Sequence, residues 1–76
     1  MLVNINSVEK VKEFVRITAG FDFEADLVSG RFVIDAKSIM GIFSLDLAKP
    51  IELVVHDGSN EEVANERLKK FEVHDI

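Results

Sequence analysis

Residues 21–35 read FDFEADLVSGRFVID. Phe21, Phe23, Ala25 and Leu27 alternate with Asp22, Glu24 and Asp26, the period of a strand with one buried face and one wet face. Ser29 and Gly30 then supply a turn, and RFVID returns as a second strand, so the segment reads as a β-hairpin. A hairpin makes its two strands antiparallel.

On the N-terminal side, Val3 and Ile5 alternate with Asn4 and Asn6, the mark of a short strand with one buried face. A helix follows, with Asn6 as its N-cap and Glu9 three residues on. Val8, Val11, Phe14, Val15 and Thr18/Ala19 recur at helical spacing until Gly20 offers a stop. On the C-terminal side, KSIMGIFSLDL reads as a second helix of two turns. Pro50 opens a fourth strand, IELVVH, where Ile51, Leu53 and Val55 share a face opposite Glu52 and His56. Asp57 and Gly58 end it. Ser59 and Glu62 form the capping box of a third helix, which continues through Val63, Ala64, Arg67, Leu68 and Phe71. The tail EVHDI is expected to fray.

The element order is thus β-α-β-β-α-β-α. The expected fold is α+β, an open-faced β-sandwich in which three helices cover one face of a four-stranded antiparallel sheet. The other face, lined by Asp22, Glu24, Asp26 and Glu52, is expected to stay wet. With 76 residues and neither repeat nor linker, the chain is read as one domain, 1–76.

Composition narrows the function. There is no cysteine, so neither a disulfide framework nor a thiolate metal site is expected. A net charge of −5, no Trp, no Tyr and no basic stripe argue against direct binding of nucleic acid. No basic leader and no membrane-length apolar run are seen, which makes a cytoplasmic protein the default and a membrane partner unexpected. Asp22, Glu24 and Asp26 stand at strand spacing on a solvent face, better suited to solubility than to a metal site, which needs convergent ligands. No nucleophile has an evident base, and no Gly-rich phosphate loop follows a strand. The chain is therefore expected to be non-enzymatic, with no catalytic residue, no metal and no cofactor.

The stretch KSIMGIFSLDLAKPIELVVHDGSNEEVANERLKKF resembles the second half of the HPr family, the phosphocarriers of the bacterial sugar phosphotransferase system. KSIMG and the following SL carry the likeness most specifically. The first half agrees in element order and in FEADL before the hairpin. The resemblance implies the fold already derived.

It also implies where function would sit. The family receives phosphate on a histidine in a Gly-[Ile/Leu]-His-Ala-Arg-Pro-Ala stretch, at the junction of first strand and first helix. This chain has NINSVEKVKEF there, with Asn6, Ser7, Val8 and Glu9 in place of the motif. A phosphohistidine at a helix start is stabilised by free backbone N–H groups, the positive dipole end and a guanidinium. Glu9 puts a carboxylate in that turn, which suits a helix cap and opposes an incoming phosphate. The two histidines, His56 and His74, lie elsewhere. His56 is expected at the opposite end of the sheet, and both are expected to be ordinary solvated side chains.

By the same resemblance, Ser38 of KSIMG is the regulatory phosphorylation site. Its structural reading, compatible with that role, is the N-cap of the second helix. Ile39, Met40, Ile42, Phe43, Leu45 and Leu47 are more apolar residues than one inward stripe holds. Ile39, Met40 and Phe43 are accordingly expected to form a partner-binding patch, unless Phe43 and Ile39 fold down to plug a sheet edge.

The leading expectation is a non-catalytic, HPr-like regulatory or binding protein of the catabolite-repression type. Its expected partners are an HPr-type kinase, a transcriptional regulator or phosphotransferase-system components. The alternatives are a phosphocarrier using a non-standard histidine, and a protein that keeps the fold but serves an unrelated partner.

Overall fold

The computed structural model describes residues 1–74. The strands are β1 (Leu2–Val3), β2 (Ala25–Ser29), β3 (Phe32–Asp35), β4 (Ile51–Val55) and β5 (Glu72–Val73). The helices are α1 (Val8–Thr18), α2 (Ile39–Ile42) and α3 (Glu61–Arg67), with single 3₁₀ turns at Gly58–Asn60 and Lys69–Phe71. The strands form one antiparallel sheet in the order β3-β2-β4-β1-β5. The α+β open-faced sandwich is as expected from the sequence, with one strand more.

That extra strand is the segment expected to fray. Glu72 and Val73 pair with Val3 and Leu2, and the Asn4 N–H donates to the Phe71 carbonyl at 2.8 Å. The outer edge of β1 would otherwise leave its backbone groups without partners, which explains why so short a segment is held. Asp75 and Ile76 of the same tail lie outside the described residues.

The hairpin forms in the expected register, with Leu27 opposite Ile34 and Ser29 opposite Phe32, which leaves a two-residue loop of Gly30 and Arg31. Gly30 has φ +59° and Arg31 does not share the positive value, the pattern of a type II′ turn. The first hairpin strand starts later than its alternation suggests, at Ala25 instead of Phe21. Gly20 and Phe21 donate to the carbonyls of Ile17 and Thr18, so the chain is still turning off α1. Phe21 is buried and stacks on Phe23 with centroids 4.5 Å apart, and the Arg67 guanidinium lies 5.1 Å from its ring centroid. Alternation at 21–24 thus reports a turn wrapped around an aromatic pair.

One face of the sheet is covered. Val3, Ala25, Leu27, Ile51 and Leu53 pack there against Val11 and Phe14 of α1, Ile42 of α2, and Ala64 and Leu68 near α3. Phe14 meets Phe71 edge-on, with centroids 5.5 Å apart. Each fully buried Phe, Ile or Leu contributes roughly 1.5–3 kcal/mol from apolar area alone. The helix stripes are narrower than the sequence pattern implies, since Val8, Ala19 and Val63 are exposed.

The other face also differs from expectation. Asp22 falls in the turn before β2, whereas the Glu24 carbonyl accepts from the His56 N–H and continues the β2–β4 register. The register places Asp26, Asp35 and Glu52 there among Leu2, Val28, Val33 and Val54, so it is mixed and not purely acidic.

Two caps move as well. Ser7, not Asn6, caps α1, with its Oγ accepting from the Lys10 N–H at 3.1 Å. The expected Ser59–Glu62 box is replaced by Asp57, whose Oδ1 accepts from the N–H and the hydroxyl of Ser59. Those bonds hold the Asp57 carboxyl below the ordinary carboxylate range. The 3₁₀ turn they close carries the chain into α3, whose N-cap Asn60 makes no side-chain cap bond.

Candidate functional site

The end of β3 builds the entry to α2. Asp35 Oδ1 accepts from the Lys37 N–H at 2.9 Å, and the Asp35 carbonyl accepts from the Ser38 N–H at 2.9 Å. Ser38 is extended, with φ −96° and ψ 102°, and its Oγ accepts from the Gly41 N–H at 3.1 Å. It is the N-cap expected of it. The hydroxyl satisfies a backbone donor that a helix start leaves without a partner.

Gly41 is the second requirement. A methyl group on its Cα would lie 2.7 Å from Ile34 Cγ2 and 3.1 Å from Ser38 Oγ, so α2 approaches β3 as closely as a missing side chain allows. The helix is one turn, shorter than the expected two. The Ser44 N–H and hydroxyl both bond the Gly41 carbonyl, and the Leu45 N–H bonds Ile42, which tightens and ends it. Ile42 and Leu45 turn into the core.

Met40, 80% exposed, and Phe43, 41% exposed, face outward from this turn. Ile39 is half-buried and packs against the core, so the three residues of the expected patch are unequal. Lys37, beside Ser38, is held elsewhere. Its Nζ donates to the Phe21 carbonyl at 3.2 Å and to Glu24 Oε2 at 3.1 Å. Buried Thr18 closes the other side, with Oγ1 donating to the Ala36 carbonyl at 2.8 Å and tying the last turn of α1 to the α2 entry.

At the start of α1 the cap hydroxyl of Ser7 is joined by Glu9 in the first turn, and Lys10 Nζ reaches back to Asn6 Oδ1 at 3.1 Å. The capped Lys10 N–H and the Glu9 carboxylate both disfavour an anion there. His56 follows β4 at the far end of the sheet, as expected, but it is not a lone solvated ring. Its Nε2 lies 2.5 Å from Asp26 Oδ2. That hydrogen bond and the Asp26 charge, helped by Glu24 and Asp35, raise the imidazole above its ordinary 6.5 despite some desolvation. His74, just beyond β5, is exposed. Among the described residues no group of acidic, histidine or cysteine side chains is placed to hold a metal.

The model of the HPr component of the phosphotransferase system, described by its phosphorylation site, matches residues 9–72. The chain belongs to the HPr family. Proteins of this family are phosphocarriers that work with other proteins of the phosphotransferase system, and they are not enzymes in the usual sense. The crystal structure of HPr-C-His from Thermoanaerobacter tengcongensis is similar to this HPr-family chain, with a TM-score of 0.76 and 25% identity, covering 92% of this chain and 85% of that one. Among curated proteins none matches the sequence. The family span opens at Glu9, so Asn6, Ser7 and Val8 fall before it, and the chain's histidines are residues 56 and 74.

Reasoning from the sequence overlooked Asp35 and Gly41. Asp35 carried a signal, since an aspartate two residues before a free N–H commonly closes a side-chain turn. Gly41 carried none, because its need arises from contact with β3.

Proposed function

We propose that this HPr-family chain is a non-catalytic regulatory or binding protein related to the sugar phosphotransferase system. Ser38 is its phosphorylation site, and Ile39, Met40 and Phe43 are its docking surface. On this reading it acts in the bacterial cytoplasm as one domain, 1–76, and its partners are an HPr-type kinase and a transcriptional regulator or phosphotransferase-system component.

The observation that carries the reading is the joint placement of the Ser38 hydroxyl at the head of α2 and of exposed Met40 and Phe43 on the same turn. A phosphoryl group on Ser38 brings a charge of about −1.5 to −2 to a helix start, where backbone donors favour it. The fold then persists while the docking surface changes from apolar to apolar beside an anion. The competing reading, a carrier using a non-standard histidine, is disfavoured by the Asp26 bond to His56, which keeps that ring protonated more readily and less able to act as a nucleophile.

Intact mass after incubation with an HPr-type kinase and ATP, and separately with phosphoenolpyruvate and the general phosphotransferase enzyme, separates the two. A single phosphoryl addition with kinase, abolished by Ser38→Ala, is expected, with none from phosphoenolpyruvate. An acid-labile adduct in the second reaction, removed by His56→Ala or His74→Ala, would establish the carrier instead. Modification in neither reaction leaves a protein that has kept the fold for another partner.

A further inference from the structure

β3 is an edge strand, and among the described residues nothing pairs with its outer side. Free edges of this kind are usually blunted by charge, by proline or by a covering loop, because they offer backbone groups to another strand. Here the edge carries the two most exposed apolar side chains outside α2, Phe32 at 64% and Val33 at 61%. The Ala36 N–H donates to the Ala25 carbonyl, so Ala36 points its backbone towards β2. Alternation then turns Ile34 and Phe32 the same way and aims the N–H and C=O groups of Val33 and the N–H of Asp35 outward, the Asp35 carbonyl being taken by the Ser38 N–H.

We propose that a second copy of this chain pairs with β3 antiparallel, Val33 opposite Val33, joining the two sheets edge to edge about a two-fold axis. The sequence around β3 is complementary to itself in that register. Phe32 comes opposite Ile34 of the other copy on the helix-covered side, and Arg31, in the turn just before β3, comes beside Asp35 of the other copy, twice by symmetry. The outward backbone groups match too, since Val33 faces Val33 as a hydrogen-bonded pair and the Asp35 N–H is left to donate across the axis.

The charges favour it as well. Within one copy Asp35 lies directly opposite Asp26. Asp26 is paired with His56, whereas among the described residues Arg31 and Asp35 enter no ion pair. The two-fold supplies each with its partner and relieves a like-charge cross-strand pair. Because the axis is perpendicular to the sheet, both α2 helices come to the same side. The interface is a single strand wide, so association is weak, in the class of contacts under about 1,200 Å².

Sedimentation of the whole chain up to about 1 mM, near which a contact of about −4 kcal/mol is half formed, tests the dimer. Hydrogen exchange at the Val33 amide should slow as concentration rises. Val33→Pro deletes only an outward donor and should leave a folded monomer. Arg31→Asp and Asp35→Arg should each weaken self-association at least tenfold, and mixing the two should restore a dimer, because aspartate at 31 then meets arginine at 35 of the other copy. Circular dichroism checks that each variant folds, and the wild-type exchange measurement stands whatever Asp35→Arg does. A monomer at every concentration overturns the proposal. So does a dimer indifferent to Val33→Pro, which places the contact on the open face or another edge.

Discussion

His56 Nε2 and Asp26 Oδ2 lie 2.5 Å apart, joining the end of β4 to β2 across the open face of the sheet. The pair is solvent-exposed, so its effect on stability is a matter of direction. The unfolded chain binds the imidazole proton with a pKa near 6.5, and the folded chain binds it more tightly. The stabilisation is therefore complete below the unfolded value and is lost as pH rises through the folded one. The melting temperature is expected to fall as pH rises above about 6.5, and to fall further in wild type than in His56→Gln or Asp26→Asn. Identical profiles in wild type and His56→Gln would show that the pair contributes nothing.

Gly41→Ala is expected to destabilise the protein. The new methyl meets Ile34 Cγ2 at 2.7 Å, an overpacking worth about 1–3 kcal/mol, against a helix-propensity gain of about 0.5–1 kcal/mol. The Ile34→Ala background removes the clashing methyl, so the second substitution should cost less there. A double-mutant cycle by urea denaturation reads this coupling, and additivity would rule out the contact as the cause.

Met40→Ala should change stability by less than about 0.5 kcal/mol, as exposed positions do. Ile42→Ala, two residues on, should cost about 2–5 kcal/mol, because Ile42 is fully buried. Phe43→Ala belongs between them. Thermal melts of the three variants give the order, and a large loss at Met40 would make α2 a core element with no docking surface.

Thr18→Val keeps the shape of a buried side chain and removes its hydroxyl. The Ala36 carbonyl then loses its 2.8 Å donor, a loss of roughly 1–3 kcal/mol for a buried acceptor left unpaired. Because that carbonyl anchors the α2 entry, amide exchange at Gly41 should accelerate alongside the fall in stability. Unchanged exchange at Gly41 would separate the two ends.

Much of this is legible in the sequence. Alternation along ADLVS and FVID, with glycine between, is a local pattern, and so are the helical stripes through Phe14 and Leu68. Ser38 could be read as a cap from its residue type and from the apolar run after it. Asn6 and Ser7 show the limit. Both are good caps, and the residue that serves is set by where the chain leaves β1.

The antiparallel hairpin, the three helices and the lack of a histidine at the start of α1 follow from residues close along the chain. The remaining features depend on contacts between segments far apart along the chain. β5 is two residues, too short to show a period, and exists because β1 presents an edge to it. The turn at 21–24 is held by Lys37, Arg67 and the backbone of His56, all remote in sequence. Gly41 is needed because Ile34 lies beneath it, and Met40 is exposed while Ile39 is half-buried because a single helical turn resting on a sheet has room to bury only one side.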